Sequence, residues 1–91
     1  MEYERASNYR QTFFQRTKGP YRCRYCNKKL SKDKVFVDHI IPVAKTQKTA
    51  RAKMMLAMRR CGSVNDIRNL APACKECNSK KSDKMGIWII R

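Results

Sequence analysis

The hydrophobic and polar positions in the first half of the chain predict one helix followed by one strand. Residues 3–17 carry aromatic and small apolar side chains at a spacing compatible with one face of a helix, and Gly19-Pro20 ends that segment. Residues 34–42 are rich in β-branched side chains, which favours a strand that stops at Pro42.

A basic amphipathic helix is predicted over residues 45–60. Apolar residues recur there at positions i, i+4, i+7 and i+8, and basic residues gather on the other side. The apolar positions are Ala50, Met54, Ala57 and Met58, and the basic ones are Lys45, Lys48, Arg51 and Arg59. This pattern assigns the methionines to the core, with Cys61-Gly62 as the helix stop.

The remaining segments predict a short extended region and a second helix. Residues 63–73 are expected to be irregular or extended, and a helix is expected to begin around Asn78. The apolar end, residues 86–91, is expected to form a strand or tail that covers the core. Helices and strands of this kind indicate an α+β fold.

The composition adds a strong positive charge to this picture. The chain has 91 residues, with 22 Lys or Arg against 7 Asp or Glu, so its formal charge is +15. This length allows one small domain over residues 1–91. Such a domain buries little apolar surface, and repulsion between its positive charges further lowers the stability of the folded state. The charge indicates nucleic acid as a partner, with no membrane association. Without a spanning stretch or signal peptide, we expect a soluble, intracellular, cytoplasmic protein.

The cysteines predict a metal site that crosslinks the chain and supports its small hydrophobic core. Cys23 and Cys26 form one C-x2-C pair, Cys74 and Cys77 form another, and 47 residues lie between the pairs. In a reducing compartment, one tetrahedral zinc site with four thiolate ligands is the most economical interpretation, and two redox dithiols or a disulfide framework are the alternative. Four thiolates leave no open position, so this zinc is expected to be structural. Cys61 is expected to be a buried residue outside the site.

The single histidine, His39, directly follows Asp38. A lone histidine in an apolar strand is more often a packed, hydrogen-bonded residue than a catalyst. Beside a carboxylate, on a chain that attracts phosphodiesters, it also supplies the parts for metal-assisted phosphodiester hydrolysis. Successive strand residues point to opposite faces, so both can serve one site only if the strand bends or ends there, as Pro42 favours.

Several motifs follow one another in a distinctive order. They are the first C-x2-C pair, the run Asp-His-Ile-Ile-Pro over residues 38–42, the pair Asn69-Leu70, and the second C-x2-C pair followed by Asn78-x2-Lys81. In this order they resemble the HNH endonucleases of the zinc-stapled type, over about residues 21–83. The resemblance implies a small ββα-metal (HNH) domain of α+β class with flanking helices and a basic helical insertion between its two strands.

The resemblance also implies a role for each matched residue. His39 corresponds to the general base, and Asp38 to a ligand of the catalytic metal. Asn69 corresponds to the residue that orients the histidine or its loop. Asn78 corresponds to a second metal ligand, where many members have histidine, and its amide oxygen suits Mg²⁺ or Mn²⁺. The implied activity is a DNA endonuclease or nickase that leaves 5′-phosphate and 3′-hydroxyl ends.

The expected partner is double-stranded DNA, contacted mainly through its phosphates. The residues expected to make these contacts are Lys45, Lys48, Arg51, Lys80 and Lys81. One chain carries one active site, so cutting both strands requires a homodimer, two sequential events or a partner protein. The alternatives are a non-catalytic zinc-knuckle protein that binds DNA or RNA and a ribosome-associated RNA binder. Small proteins of this family are frequent in phages and mobile introns, which suggests a phage or mobile-element origin.

Overall fold

The chain folds as short helices around two small antiparallel sheets. The computed structural model describes residues 2–90. Within them lie helices α1 (Tyr9–Arg16), α2 (Val43–Lys48), α3 (Ala50–Met58), α4 (Lys75–Lys81) and α5 (Ile87–Ile90), and strands β1 (Tyr21–Arg22), β2 (Lys29–Leu30), β3 (Phe36–His39) and β4 (Leu70–Ala73). The predicted α+β class is confirmed.

Strands β1 and β2 form a hairpin that carries the first C-x2-C pair. Tyr21 lies opposite Leu30 in this sheet. The connecting loop turns at Asn27, which has a φ of 65° and is a residue type that tolerates the left-handed region. The backbone N–H of Arg24 donates to the Pro72 carbonyl oxygen at 2.9 Å, which docks this loop on β4.

Strands β3 and β4 form the second sheet, and α4 packs against β3. Asp38 lies opposite Ala71 and His39 lies opposite Leu70. The predicted strand is confirmed, but it is shorter than residues 34–42 because it ends at His39 and Pro42 already precedes α2. The two strands and the helix form a ββα unit, with α2 and α3 inserted between the strands as predicted.

The predicted helix over residues 45–60 is wrong in two respects. The segment forms two helices, because Thr49 adopts an extended conformation (φ −128°, ψ 140°) that ends α2. The Thr49 side chain then caps α3 by accepting a hydrogen bond from the Ala52 backbone N–H. The side of α3 that faces inward also differs from the predicted one. Ala52 and Leu56 are fully buried, whereas Met54 and Met58, assigned to the core from sequence, are 63% and 75% exposed.

The remaining helix boundaries also differ from the sequence predictions. Helix α1 begins at Tyr9, not at residue 3, and α4 begins at Lys75, three residues before Asn78. The strand predicted for residues 86–91 is wrong, because Ile87–Ile90 form a helix, but the predicted packing on the core is confirmed, since Ile89 is buried in the core; Arg91 lies outside the described residues. This last helix packs on the hairpin side of the molecule, where the rings of Trp88 and Tyr25 lie 5.4 Å apart.

The segment that precedes α1 runs beside the loop that follows α3. Glu2 forms a parallel bridge with Ser63, and the Val64 backbone N–H donates to the Glu2 carbonyl oxygen at 2.7 Å. The Ala6 backbone N–H donates to the Asn65 side chain at 2.9 Å. These contacts hold the N-terminal segment over the end of β3. No helix in residues 2–90 is long and apolar enough to cross a membrane.

Candidate functional site

The four cysteines of the two C-x2-C pairs meet in one cluster. Cys23 and Cys26 come from the β1–β2 loop, and Cys74 and Cys77 come from the start of α4. Their sulfur atoms all lie within 4.8 Å of one another, and the sulfurs of Cys26 and Cys74 are 3.7 Å apart. Zinc–sulfur bonds of about 2.3 Å in a tetrahedron place the sulfurs about 3.8 Å apart. The cluster is therefore compatible with a structural metal ion such as zinc.

The protonation of these thiols shows why a cation fits between them. Burial opposes ionisation of Cys23, but hydrogen bonds from backbone groups of Cys74, Cys26 and Tyr25 outweigh it and lower the pKa of the Cys23 thiol to about 7. Burial raises the pKa of Cys74 and of Cys77. Four thiolates in this space repel one another without a positive ion, and a bound cation removes that repulsion.

Asp38 is held on β3 by two buried partners. Its carboxylate lies 3.1 Å from the Lys81 ammonium and accepts a hydrogen bond from the Tyr25 hydroxyl. Burial raises the pKa of Tyr25, so this hydroxyl stays protonated and donates. The Lys81 ammonium also donates to the His39 carbonyl oxygen at 3.0 Å. Lys81 thus ties α4 to the last two residues of β3.

The placement of Lys81 corrects its predicted role as a DNA contact. Its side chain is completely buried, and its ammonium faces Asp38. Burial lowers the pKa of Lys81, and the nearby Asp38 carboxylate opposes that effect. A buried ammonium paired with a carboxylate does not reach a DNA phosphate. Sequence reasoning missed this role because Lys81 lies within a run of basic residues that resembles solvated surface.

His39 is also buried, at 6% exposure. Its ring packs against the Tyr9 ring at a centroid distance of 4.7 Å, and its Nε2 lies 3.1 Å from the Asn65 Oδ1. Burial lowers the pKa of His39, and the hydrogen bond to Asn65 partly opposes that shift. The neutral imidazole is therefore favoured at neutral pH, which is the form that can accept a proton.

Asn69 is fully buried, and its side chain makes its hydrogen bonds to backbone groups and none to the His39 ring. Its Oδ1 accepts from the Ile41 backbone N–H at 2.8 Å. Its Nδ2 donates to the carbonyl oxygens of Ile41 and Val64, at 3.2 and 2.9 Å. The amide therefore fixes the backbone just after His39.

One cavity brings together the three residues predicted from sequence to act as general base and metal ligands. Asp38, His39 and Asn78 all line an open cavity of about 410 Å³ between β3, α4 and the N-terminal segment. Successive residues of a regular strand point to opposite faces, but β3 ends at His39, so Asp38 and His39 can both line the same cavity. Asn78 is half-buried and directly follows Cys77, so the cysteine cluster and this cavity share one helix.

Three further groups on the cavity wall carry charge and were not singled out from sequence. Arg5 and Arg10 come from the N-terminal part of the chain, and Asp83 follows α4. The Arg10 guanidinium donates to the Val35 carbonyl oxygen at 2.7 Å and lies over the Phe14 ring. No sequence motif marks these residues, because the fold of the N-terminal segment over β3 brings them to the cavity.

The other basic residues predicted to contact DNA lie outside this cavity. Lys48, Arg51 and Lys80 are exposed, and Lys45 is half-buried. A comparison with protein-family models gave no match, and neither the curated proteins nor the solved structures gave a significant match.

Proposed function

We propose that the chain is a metal-dependent DNA endonuclease or nicking enzyme of the HNH type. The observation that carries this proposal is that Asp38, His39 and Asn78 line one cavity on a ββα unit beside the cysteine cluster. These residues are at most 40 positions apart in sequence and come from β3 and α4. A cavity with a carboxylate, a neutral imidazole and an amide contains the groups that phosphodiester hydrolysis requires.

His39 acts as the general base in this proposal. Burial favours its neutral form, so it can take the proton from an attacking water molecule. The Tyr9 ring and Asn65 hold the imidazole on two sides. Asn69 fixes the backbone that follows His39, by accepting a hydrogen bond from the Ile41 backbone N–H. The position of the imidazole therefore depends on Tyr9, Asn65 and Asn69 together.

The oxygen donors of the cavity suit a hard divalent cation. Asp38 and Asn78 would hold Mg²⁺ or Mn²⁺, because these ions prefer carboxylate and amide oxygens. When bound, such an ion supplies charge stabilisation to the phosphate and to the leaving oxygen. The Lys81 ammonium lies 3.1 Å from the Asp38 carboxylate. It therefore neutralises part of the negative charge with which Asp38 would attract a cation. This predicts a weakly bound catalytic ion.

DNA binding is proposed to use two sets of basic residues. Arg5 and Arg10 lie on the cavity wall, where a phosphate near the cleaved bond would enter. The residues Lys48, Arg51 and Lys80 are exposed and lie outside it, and we expect them to contact the flanking DNA backbone. The formal charge of +15 adds long-range attraction for a polyanion.

Zinc is the proposed occupant of the cysteine cluster. It would join the β1–β2 loop to the start of α4 without contacting the substrate. Because Asn78 follows Cys77 on α4, the ion would also fix the position of Asn78.

The test is nicking of supercoiled plasmid by the purified chain, with Mg²⁺, with Mn²⁺ and with a chelator of hard cations. We expect nicked circles only with a divalent ion, and no nicking by His39→Ala purified in the same way. DNA affinity, zinc content and circular dichroism of His39→Ala should match the wild type. DNA binding without nicking by the wild type would reject the enzyme and favour a zinc-knuckle binding protein.

A further inference from the structure

The Asn65 side chain connects His39 to the N-terminal segment. Its Oδ1 lies 2.9 Å from the Ala6 backbone nitrogen and 3.1 Å from the His39 Nε2. Its Nδ2 lies 2.6 Å from the Glu4 carbonyl oxygen and 2.9 Å from the Glu2 carboxylate. One amide therefore makes four contacts, three of them to residues that precede α1.

These contacts fix which end of the Asn65 amide faces the histidine. The Ala6 backbone N–H can only donate, so the atom beside it must be the oxygen. The Glu4 carbonyl oxygen can only accept, so the atom beside it must be the NH₂ group. Both ends are set by backbone groups, and rotating the amide by half a turn would place donor against donor and acceptor against acceptor.

The fixed amide also determines the tautomer of His39. An amide oxygen accepts hydrogen bonds and cannot donate, so the Nε2 that faces it must carry a proton. The neutral imidazole then has its lone pair on Nδ1. The Asn65 contact therefore leaves one ring nitrogen, Nδ1, free to act as a base.

We propose that Asn65 is a positioning residue that holds His39 as the Nε2–H tautomer, with Nδ1 as the proton acceptor. This inference rests on the proposed nuclease function for its catalytic meaning, but the tautomer itself does not. The N-terminal segment takes part, because Ala6 and Glu4 hold the amide that holds the ring. Asn65 does not touch the substrate in this scheme, and it acts through His39.

The tautomer can be measured directly, because His39 is the single histidine in the chain. In ¹⁵N-labelled wild-type protein, a long-range ¹H–¹⁵N correlation at a pH where the imidazole is neutral gives two nitrogen signals. We expect a protonated-type Nε2 coupled to both ring protons and a non-protonated Nδ1. A dominant Nδ1–H tautomer in the wild type would overturn the proposal without any variant.

Two variants separate this role from a purely structural one. In Asn65→Ala the imidazole should become a mixture of tautomers, and kcat for nicking should fall about 100-fold with KM little changed, because a misplaced base lowers the rate of the chemical step. Ser63→Ala is the matched control: it removes the Ser63 Oγ contact to the Asn65 backbone N–H, in the same turn, and leaves His39 untouched. It should keep the wild-type tautomer and rate.

The outcomes distinguish the two proposals. An inactive wild type that shows the Nε2–H tautomer would reject the nuclease and leave the Asn65 contact in place. An active wild type whose tautomer and kcat are unchanged in Asn65→Ala would reject the positioning role alone. Equal losses in Asn65→Ala and Ser63→Ala would assign the effect to the turn and would also reject it.

Discussion

Lys81 and Asp38 form an ion pair that is almost completely removed from water. Lys81 has no exposed surface and Asp38 is 7% exposed. Removing one partner of such a pair leaves a charge in the interior, which costs more than the pair contributes. In this chain the uncompensated charge would also lie at the proposed cation site, which would couple folding to metal binding through one carboxylate.

We predict that Lys81→Met lowers the free energy of unfolding by about 3–5 kcal/mol, because Asp38 is left buried and unpaired. Mg²⁺ should raise the melting temperature of this variant more than that of the wild type, since the ion replaces the lost charge. Thermal unfolding with and without Mg²⁺ measures both effects. The control is Lys80→Met, an exposed neighbour on the same helix, which should behave as the wild type.

We predict that the acid limb of the nicking rate lies below pH 6.5. Burial lowers the pKa of His39 from its ordinary value of 6.5, so the neutral, proton-accepting form is already abundant at lower pH. The rate at fixed metal should rise with pH through the pKa of the folded protein and level off before neutrality. An NMR titration of the single histidine gives that pKa independently. A rate that still rises steeply between pH 7 and 8 would contradict the assignment of His39 as the base.

At the scale of elements, α3 buries a different face from the one that the sequence pattern assigned to the core. Thr49 caps α3, and Leu56 then faces the core beside Ile40, Ile41 and Val64. The four apolar positions of the pattern that assigned Met54 to the core all lie within α3, but Ala52 and Leu56 of the same helix form a competing apolar face, and that face is the buried one. Since a helix advances about 100° per residue, positions two residues apart lie on nearly opposite faces, so burial of Ala52 and Leu56 leaves Met54 facing outward.

We predict that Leu56→Ala lowers the free energy of unfolding by about 2–5 kcal/mol, because it removes a fully buried side chain. Met54→Ala lies two residues earlier on the same helix and should change it by less than about 0.5 kcal/mol, because that side chain is exposed. Urea unfolding of the two variants compares them directly. A larger loss for Met54→Ala would mean that α3 has the orientation expected from sequence.

At the scale of the whole molecule, the positive charge lowers the stability of the fold, and a metal ion bound at the cysteine cluster would raise it. A charge of +15 on 91 residues opposes compaction, and only three small groups of buried apolar residues offset it within residues 2–90. The cluster joins the hairpin near the start of the chain to α4 near its end. A metal ion bound there contributes directly to the stability of the whole fold.

We predict that the protein purifies with one zinc ion and that a strong chelator lowers its melting temperature. Cys77→Ser should lose both the metal and cooperative unfolding, because a thiolate ligand is gone. Cys61→Ser is the control, since Cys61 is buried but lies outside the cluster. Elemental analysis and thermal unfolding test this. Equal metal content in the two variants would show that Cys77 is not a ligand.

The sequence by itself determined the features that local patterns encode. A run of β-branched residues predicted the strand that carries Asp38 and His39, and paired C-x2-C spacing predicted the cysteine cluster. The positive charge and the extended stretch before the second pair were also readable in this way. The strand depends on the steric preference of neighbouring residues, and each C-x2-C pair places two thiols within reach of one ion. The meeting of the two pairs, which lie far apart in sequence, follows from the need of one ion for four ligands.

Tertiary structure decided what depends on residues that are distant in sequence. Lys81 is buried because Asp38 lies opposite it, 43 positions earlier, and no property of the basic run around Lys81 indicates this partner. Asn65 meets His39 across 26 positions, and the N-terminal segment that fixes its amide lies about 60 positions away. The helical end of the chain likewise packs against Tyr25. Such contacts depend on the path of the whole backbone, because burial and hydrogen-bond partners are supplied by segments that local periodicity does not connect.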